Sequence, residues 1–497
     1  MKETIKKYPL FPYALSLFFV LHGFTENSDI VPPKDAVLLF LKYAGFSIVL
    51  TLLFWLVYKS FIKAGLVVFF IMMYNFFFSI VHDFFNKNFS DTFLTKYSFI
   101  LPASIIGFII LIIYIRKTNK KFITTTKYLN WLFIILILID IVNLAIKSIR
   151  ESAPPDVVLS KEFTNCDTCS KPDIYLILTD EYAGKTQLQD IFGFDNSTFL
   201  NELKTRGYHI VPESRGNYNF THYAMASMFN MDYLTGITGE HSSHNDLSIS
   251  YNTLKKSKTL GFLLNQGYSF YNYSVFDFNG QPSVATSPFI PGKTLPITAQ
   301  TFIHRIRRDL GFHLITTLKL KWVMSKFYYE PLTNTEKVYE LTKKIAAKKT
   351  TTPKFVYTHL IMPHYRYYYN SKGQPAPFEK IIDDSYCIDK NAYIEYLQYT
   401  NGKLLSLIDQ IKKSSEKPPV IILMSDHGYR QFLSPEDIKQ VDKKYYFMSL
   451  NAINFPNGNY SLFYDSMSNV NQFRVILNSL FHQKLSILKD STIFLAQ

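Results

Sequence analysis

Five apolar stretches dominate the first 150 residues: Pro9–Phe24, Val37–Tyr58, Ala64–Val81, Tyr97–Ile115 and Tyr128–Ile146. Each comes close to the roughly 20 residues a helix needs to cross a bilayer. Lipid offers no water to backbone N–H and C=O groups, so a crossing run must satisfy them internally as a helix. The first stretch is the shortest. No small-residue cleavage site follows it, so it reads as a retained span and not a removed signal. Five helical spans are expected.

The loops between them set an orientation. Lys2, Lys6 and Lys7 precede the first span, Lys59 and Lys63 join the second to the third, and Arg116, Lys117, Lys120, Lys121 and Lys127 join the fourth to the fifth. The alternate loops carry Glu26, Asp29, Asp35, Asp83 and Asp91 with only Lys34, Lys87 and Lys96. The basic set faces the cytoplasm by the positive-inside rule. An odd number of spans then puts everything after about residue 150 on the outer side. The setting expected is a bacterial inner (plasma) membrane, crossed several times.

This topology accounts for much of the net charge of +14. Residues 1–150 hold 16 Lys and Arg against 7 Asp and Glu, and the remainder holds 37 against 32. Most of the excess therefore marks membrane orientation, and no nucleic-acid partner is expected. Two charges fall inside spans, Lys42 and Asp140. Buried membrane charges are usually paired, so a structural Lys42–Asp140 pair is expected, with Lys42 snorkelling outward as the alternative.

Cys166 and Cys169 form CDTC just before the first soluble strand. Outside the cytoplasm a local disulfide is the expected state. A thioredoxin-type site would follow its strand, and no further zinc ligands stand nearby. The organisation expected is a membrane anchor over 1–150, a linker with CxxC over 151–172, and an extracytoplasmic catalytic domain over 173–497.

Beyond the linker, apolar strand patterns alternate with amphipathic helices. DIYLILTDEYAG (173–184), YHIV (208–211), YSFYNYSVF (268–276), KFVYTHL (354–360) and VIILMSDHG (420–428) read as strands. NSTFLNELKTRG (196–207), residues 389–415 and VNQFRVILNSLF (470–481) read as helices. Strands apolar on both faces predict an α/β domain, a mostly parallel sheet covered by helices on both faces. Residues 280–350 show no clear pattern.

Three of these strands end in polar chemistry: Asp180-Glu181, His359 with His364 just beyond, and Asp426-His427. Sites in open α/β sheets form beyond the carboxyl ends of strands. Hard oxygen ligands with imidazoles suit Zn²⁺, with Mn²⁺ as the alternative. NYNFTHYAMASMFNMDYL (217–234) adds Thr221 before a predicted helix. A hydroxyl there can cap the helix. The same position gathers backbone N–H groups that favour a phosphate, and a metal would make the hydroxyl a competent nucleophile.

These segments resemble the sulfatase-like branch of the alkaline phosphatase superfamily, and most of all its membrane-anchored phosphoethanolamine transferases and lipoteichoic acid synthases. YLILTDEY is similar to the first strand with its acidic ligand, NFTHYAMASMF to the nucleophile segment, and MSDHG to the Asp-His metal pair. THLIMPHYRYY resembles the later segment whose histidine meets substrate or a second metal, and His364 fits it better than His359. The resemblance implies an alkaline-phosphatase-like fold, a metal held by Asp180, Thr221, Asp426 and His427, and catalytic roles for Thr221 and His364. Glu181, His359 and Arg366 are possible additions, Arg366 as a phosphate clamp. The C/S-x-P-x-R pattern of sulfatases is missing, and Tyr429-Arg430 replaces the acid that often follows Asp-His-Gly in the transferases.

The function expected is metal-dependent phosphodiester cleavage at the outer membrane face. A phospho-headgroup would pass from a membrane lipid to an envelope glycan or lipid through a phospho-threonine. The alternatives are a phosphatase, phosphodiesterase or atypical sulfatase releasing product to water, and an inactive binding module in envelope assembly.

Overall fold

The computed structural model describes residues 8–89, 92–151, 163–237, 243–286, 292–317, 321–431 and 442–496. The chain forms two compact units. The N-terminal part of the first holds, among the described residues, the long helices α1 (Phe11–Glu26), α2 (Pro33–Tyr58), α3 (Phe61–Asn88), α4 (Tyr97–Lys117) and α5 (Ile123–Glu151). Helices α2 to α5 are long and apolar enough to cross a membrane. Helix α1 has 16 residues and is the short one, as its sequence suggested. It buries Phe11, Leu15, Phe19 and Val20 among its neighbours, with Phe19 stacked on Phe76 of α3 at 4.1 Å. Helix α4 leaves Ile105, Ile106, Ile109 and Ile110 exposed, the pattern of a surface that meets lipid.

Two expectations change here. Asp140 does not pair with Lys42. Its Oδ1 meets His22 Nδ1 at 3.0 Å, and its Oδ2 has no hydrogen-bond partner. The boundary near residue 150 is also incomplete as a description of packing, because residues 292–317 belong to the helical unit. Ile297 packs against Gly23, and the helix Phe302–Thr316 lies along α3. The tie is made by the backbone. Helix α3 departs from helical geometry at Phe77, and the Ser79 N–H donates to Gln300 O at 3.1 Å. A foreign carbonyl inserted into the helix ladder is a recognised cause of a kink.

The second unit carries the α/β sheet. Among the described residues its six strands are β1 (Ile174–Thr179), β2 (His209–Ile210), β3 (Ser269–Tyr273), β4 (Lys354–Leu360), β5 (Val420–Met424) and β6 (Asn451–Asn454), in the order β2-β6-β5-β1-β4-β3. Strands β3, β4, β1 and β5 are parallel, and β6 runs antiparallel to both β5 and β2. Every residue of β1, β4 and β5 is buried. Alternate residues of β1 explain why. Ile174, Leu176 and Leu178 enter one core with α6 (Thr221–Asn230) and α9 (Asn469–Phe481), while Tyr175 and Ile177 enter another with α7 (Glu330–Ala347) and α8 (Lys390–Ser414). A sheet covered on both faces needs apolar side chains on both. Half of the expected linker, residues 152–162, lies outside the described residues. Cys166 and Cys169 are joined as a disulfide.

Candidate metal centre

Register brings the site residues together. Leu178 of β1 pairs with His359 of β4 and with Met424 of β5. The three strands therefore finish level, and Asp180 and Asp426, each two residues further on, emerge at one rim. Asp180, Asp426 and His427 are buried, and one ligand atom from each lies within 4.8 Å of the others.

The charges in this group lack partners where a cation would supply them. Asp180 Oδ1 and Asp426 Oδ2 are buried with no hydrogen-bond partner. Asp426 Oδ2 lies 3.1 Å from His427 Nε2, but in a direction that makes no hydrogen bond. Buried unpaired carboxylate oxygens are strongly unfavourable unless a cation or donor meets them. Two buried carboxylates and an imidazole with ligand atoms within 4.8 Å of one another fit a divalent metal of the zinc or manganese kind.

Other contacts hold the ligands still. Asp180 Oδ2 receives His359 Nε2 at 3.3 Å. Burial would lift the Asp180 carboxyl, but His364, then His359 and His427, hold it below the usual carboxylate range. Ser425 Oγ accepts the Tyr182 N–H at 2.9 Å and donates to His427 O at 2.9 Å. The Asn469 amide reaches the carbonyls of Ser425 and Asp426, each at 3.1 Å. His427 Nδ1 sits 2.8 Å from Gly428 O, which leaves Nε2 turned toward the group.

Two glycines are required by close packing. A Cβ on Gly428 would fall 2.3 Å from Tyr445 O and 2.6 Å from Met448 O. A Cβ on Gly216 would fall 2.2 Å from Asp426 O. The Gly of the SDHG turn thus lets the metal-facing loop lie flat on the backbone that follows it.

Thr221 is the first residue of α6, and its hydroxyl caps nothing: the N-cap is Phe220, with no side-chain cap bond. Its Oγ1 instead lies 3.3 Å from His427 Nε2. The capping alternative raised by the sequence is therefore absent, and the hydroxyl faces the acidic group from a helix N-terminus.

Glu181 has φ +59°, a left-handed conformation rare outside glycine. It is held there from several sides. Its carbonyl accepts from Tyr393 Oη at 3.0 Å, and its carboxylate accepts from the Arg430 N–H at 2.9 Å and from the Gln431 amide. His364 Nε2 approaches Glu181 Oε2 at 3.6 Å. Arg366 is engaged elsewhere. It bonds Asp384 at 2.9 Å, donates to Ile381 O, and stacks over Tyr328.

Sequence reasoning passed over several contributors. Ser425 and Asn469 brace the ligand loop. Arg430, noted only as a replacement, donates to Asn219 O at 3.2 Å and lies 4.7 Å over the ring of Phe220, beside Thr221. A cation two residues after Asp-His-Gly was the available signal.

No curated protein sequence matches the chain. Among solved structures it is similar to the zinc complex of the C-terminal periplasmic domain of EptC from Escherichia coli, at 10% identity and TM-score 0.39, covering 64% of this chain and 84% of that one. It is also similar to the putative sulfatase YidJ from Bacteroides fragilis, at 14% identity and TM-score 0.38, covering 65% and 77%. A third is the phosphonate monoester hydrolase of Agrobacterium radiobacter, at 11% identity and TM-score 0.39, covering 62% and 74%. The sulfatase family model matches residues 157–473, well over half of the chain. This chain belongs to the sulfatase family.

Proposed function

We propose that this protein is a membrane-anchored, metal-dependent enzyme that cleaves a phosphodiester through a covalent intermediate on Thr221. The observation that carries the reading is the Thr221 hydroxyl at the start of α6, free of any cap role and 3.3 Å from His427 Nε2, in whose group two carboxylate oxygens are orphaned. Asp180, Asp426 and His427 would hold the cation, Zn²⁺ in the first instance and Mn²⁺ as the alternative, with Thr221 Oγ1 beside them. A bound divalent cation lowers the pKa of an adjacent hydroxyl and neutralises charge on a phosphoryl oxygen.

The chain's own residues supply the rest. Thr221 Oγ forms the bond to phosphorus as the bond to the leaving oxygen breaks. The N–H groups at the start of α6 favour the anionic group being transferred. His364, beside Glu181, stabilises the leaving oxygen or the transferred phosphate. The acceptor oxygen, from a glycan, a lipid or water, then releases the group from Thr221. Phosphoryl chemistry is favoured over sulfate-ester hydrolysis because the sequence has a threonine here and no C/S-x-P-x-R pattern.

The apolar spans and the charge of their loops support a location in the inner membrane with the α/β unit outside. A lipid donor and an envelope glycan or lipid acceptor follow from that placement, since the anchor keeps the site near lipid headgroups. The test is product analysis on the full-length protein with added Zn²⁺ or Mn²⁺. Bis-p-nitrophenyl phosphate should turn over and p-nitrophenyl sulfate should not. Transfer to an added glycan or lipid would leave a modified acceptor, whereas the hydrolase alternative releases product to water. Turnover of the sulfate alone would contradict the reading.

A further inference from the structure

Within the helical unit, α3 and α4 do not close on each other. Between them lies a cavity of about 360 Å³, walled by Phe77, Phe78, Val81 and Phe85 of α3 and Phe99 and Ala103 of α4. Two apolar helices would ordinarily pack shut. Here the α3 kink at Phe77, pinned by the Gln300 carbonyl at Ser79, keeps the walls apart. Val81 is 56% exposed and Phe99 40%, so the cavity opens sideways onto the apolar face of the unit. Lys59 and Lys63 mark the start of α3 as cytoplasmic, so the groove, in its second half, lies toward the outer leaflet.

The groove also has a polar end. His82 is 6% exposed and lines the cavity. Its Nε2 lies 3.1 Å from Thr95 O and must be the donor there, because a carbonyl can only accept. In the neutral ring that leaves Nδ1 as an acceptor, and Nδ1 is buried with no partner. A buried acceptor in an apolar wall calls for an O–H or N–H from a ligand. The helix Phe302–Thr316 carries Arg305, Arg307 and Arg308, with Arg308 paired to Asp309. It is fixed to the same stretch of α3 by Phe302, whose ring lies 5.1 Å from Tyr74 and 5.0 Å from Phe78, and by Arg305, 2.6 Å from Asp83.

We propose that this groove binds one outer-leaflet glycerophospholipid, with an acyl chain between α3 and α4 and a headgroup hydroxyl or amine donating to His82 Nδ1. The two features match two parts of such a molecule: an apolar slot open to the bilayer for the acyl chain, and a buried acceptor for a headgroup donor. The proposal is independent of the chemistry at Thr221.

The full-length protein, in phosphatidylcholine vesicles doped with a phosphatidylglycerol whose acyl chain carries a diazirine, would be irradiated and its labelled peptides mapped. Labelling should concentrate on the second half of α3 and the first half of α4. Excess unlabelled phosphatidylglycerol should suppress it at least severalfold, because its glycerol hydroxyls can donate, while phosphatidylcholine should not. Ala103→Trp, which fills the slot, should abolish the concentrated label. His82→Phe should keep the label and lose the preference for the donor-bearing lipid. If Ala103→Trp fails to fold, the wild-type map decides. Labelling spread evenly over the exposed faces of α2, α4 and α5, or label that competitor lipid leaves unchanged, would overturn the proposal.

Discussion

Thr221 Oγ1 lies 3.3 Å from His427 Nε2, although 206 positions separate the two residues. One begins a helix and the other ends the turn after β5. Only the sheet, which stops β1 and β5 level and packs α6 against one face, brings them together. That contact joins the candidate nucleophile to the candidate metal ligands.

Metal should stabilise the fold as well as enable chemistry. Asp180 Oδ1 and Asp426 Oδ2 are buried and unpartnered, so the cation-free protein carries an electrostatic penalty. A ligand present at a hundred times its Kd stabilises by about 2.7 kcal/mol. Adding Zn²⁺ to chelator-treated protein should raise its melting temperature by several degrees. Asp426→Asn should remove most of that rise while remaining folded, as scanning calorimetry would record.

Gly428→Ala should destabilise the α/β unit by about 3–5 kcal/mol, at the severe end for a single methyl group. The added Cβ meets backbone carbonyls of Tyr445 and Met448, which cannot swing aside as a flexible side chain would. Urea unfolding should show a lower midpoint with an unchanged slope. A midpoint equal to wild type would mean that the turn has room the structure does not show.

Arg430 should help to bind the substrate's anion. Its guanidinium stands over the ring of Phe220, the residue that precedes Thr221 in the chain. Arg430→Gln is expected to raise KM for a phosphodiester by roughly 10–100-fold, the scale of a lost charge-assisted hydrogen bond. Arg430→Lys should recover part of the loss. Arg366→Gln should change KM little, because Arg366 is tied to Asp384 and Ile381.

His364 should titrate above the ordinary histidine value of 6.5 in metal-free protein. Burial pushes its imidazole down, but Glu181 and then Asp180 push it up further, and the net direction is upward. The sign follows: the protonated ring's contact with Glu181 stabilises the fold fully below pH 6.5 and is lost as pH rises through the raised value. Proton-detected NMR of the imidazole should find this midpoint, and Glu181→Gln should move it down.

Much of the site was legible because its residues end apolar strands. VIILM runs into Asp426-His427 and IYLILT into Asp180-Glu181, and parallel strands of similar length present their ends together. What stayed hidden depends on contacts between distant segments. Strand β6, NAIN, is short and half asparagine, and it is a strand only because β5 and β2 flank it. The segment 292–317 has a weak pattern of its own and takes its place from α1 and α3. The Asp140 partner came from α1 as a histidine, a residue that no charge count flags. Arg366 shows the opposite limit: a motif position proved compatible with a purely local ion pair.

The most direct test of the account is mass analysis of the full-length, metal-loaded protein quenched during turnover of a phosphodiester, wild type beside Thr221→Ala. A covalent adduct of the transferred group is expected on the peptide containing Thr221. Thr221→Ala should bind metal normally but lose at least roughly 10⁴-fold in turnover. Steady turnover with no adduct, and a Thr221→Ala variant as active as wild type, would contradict it.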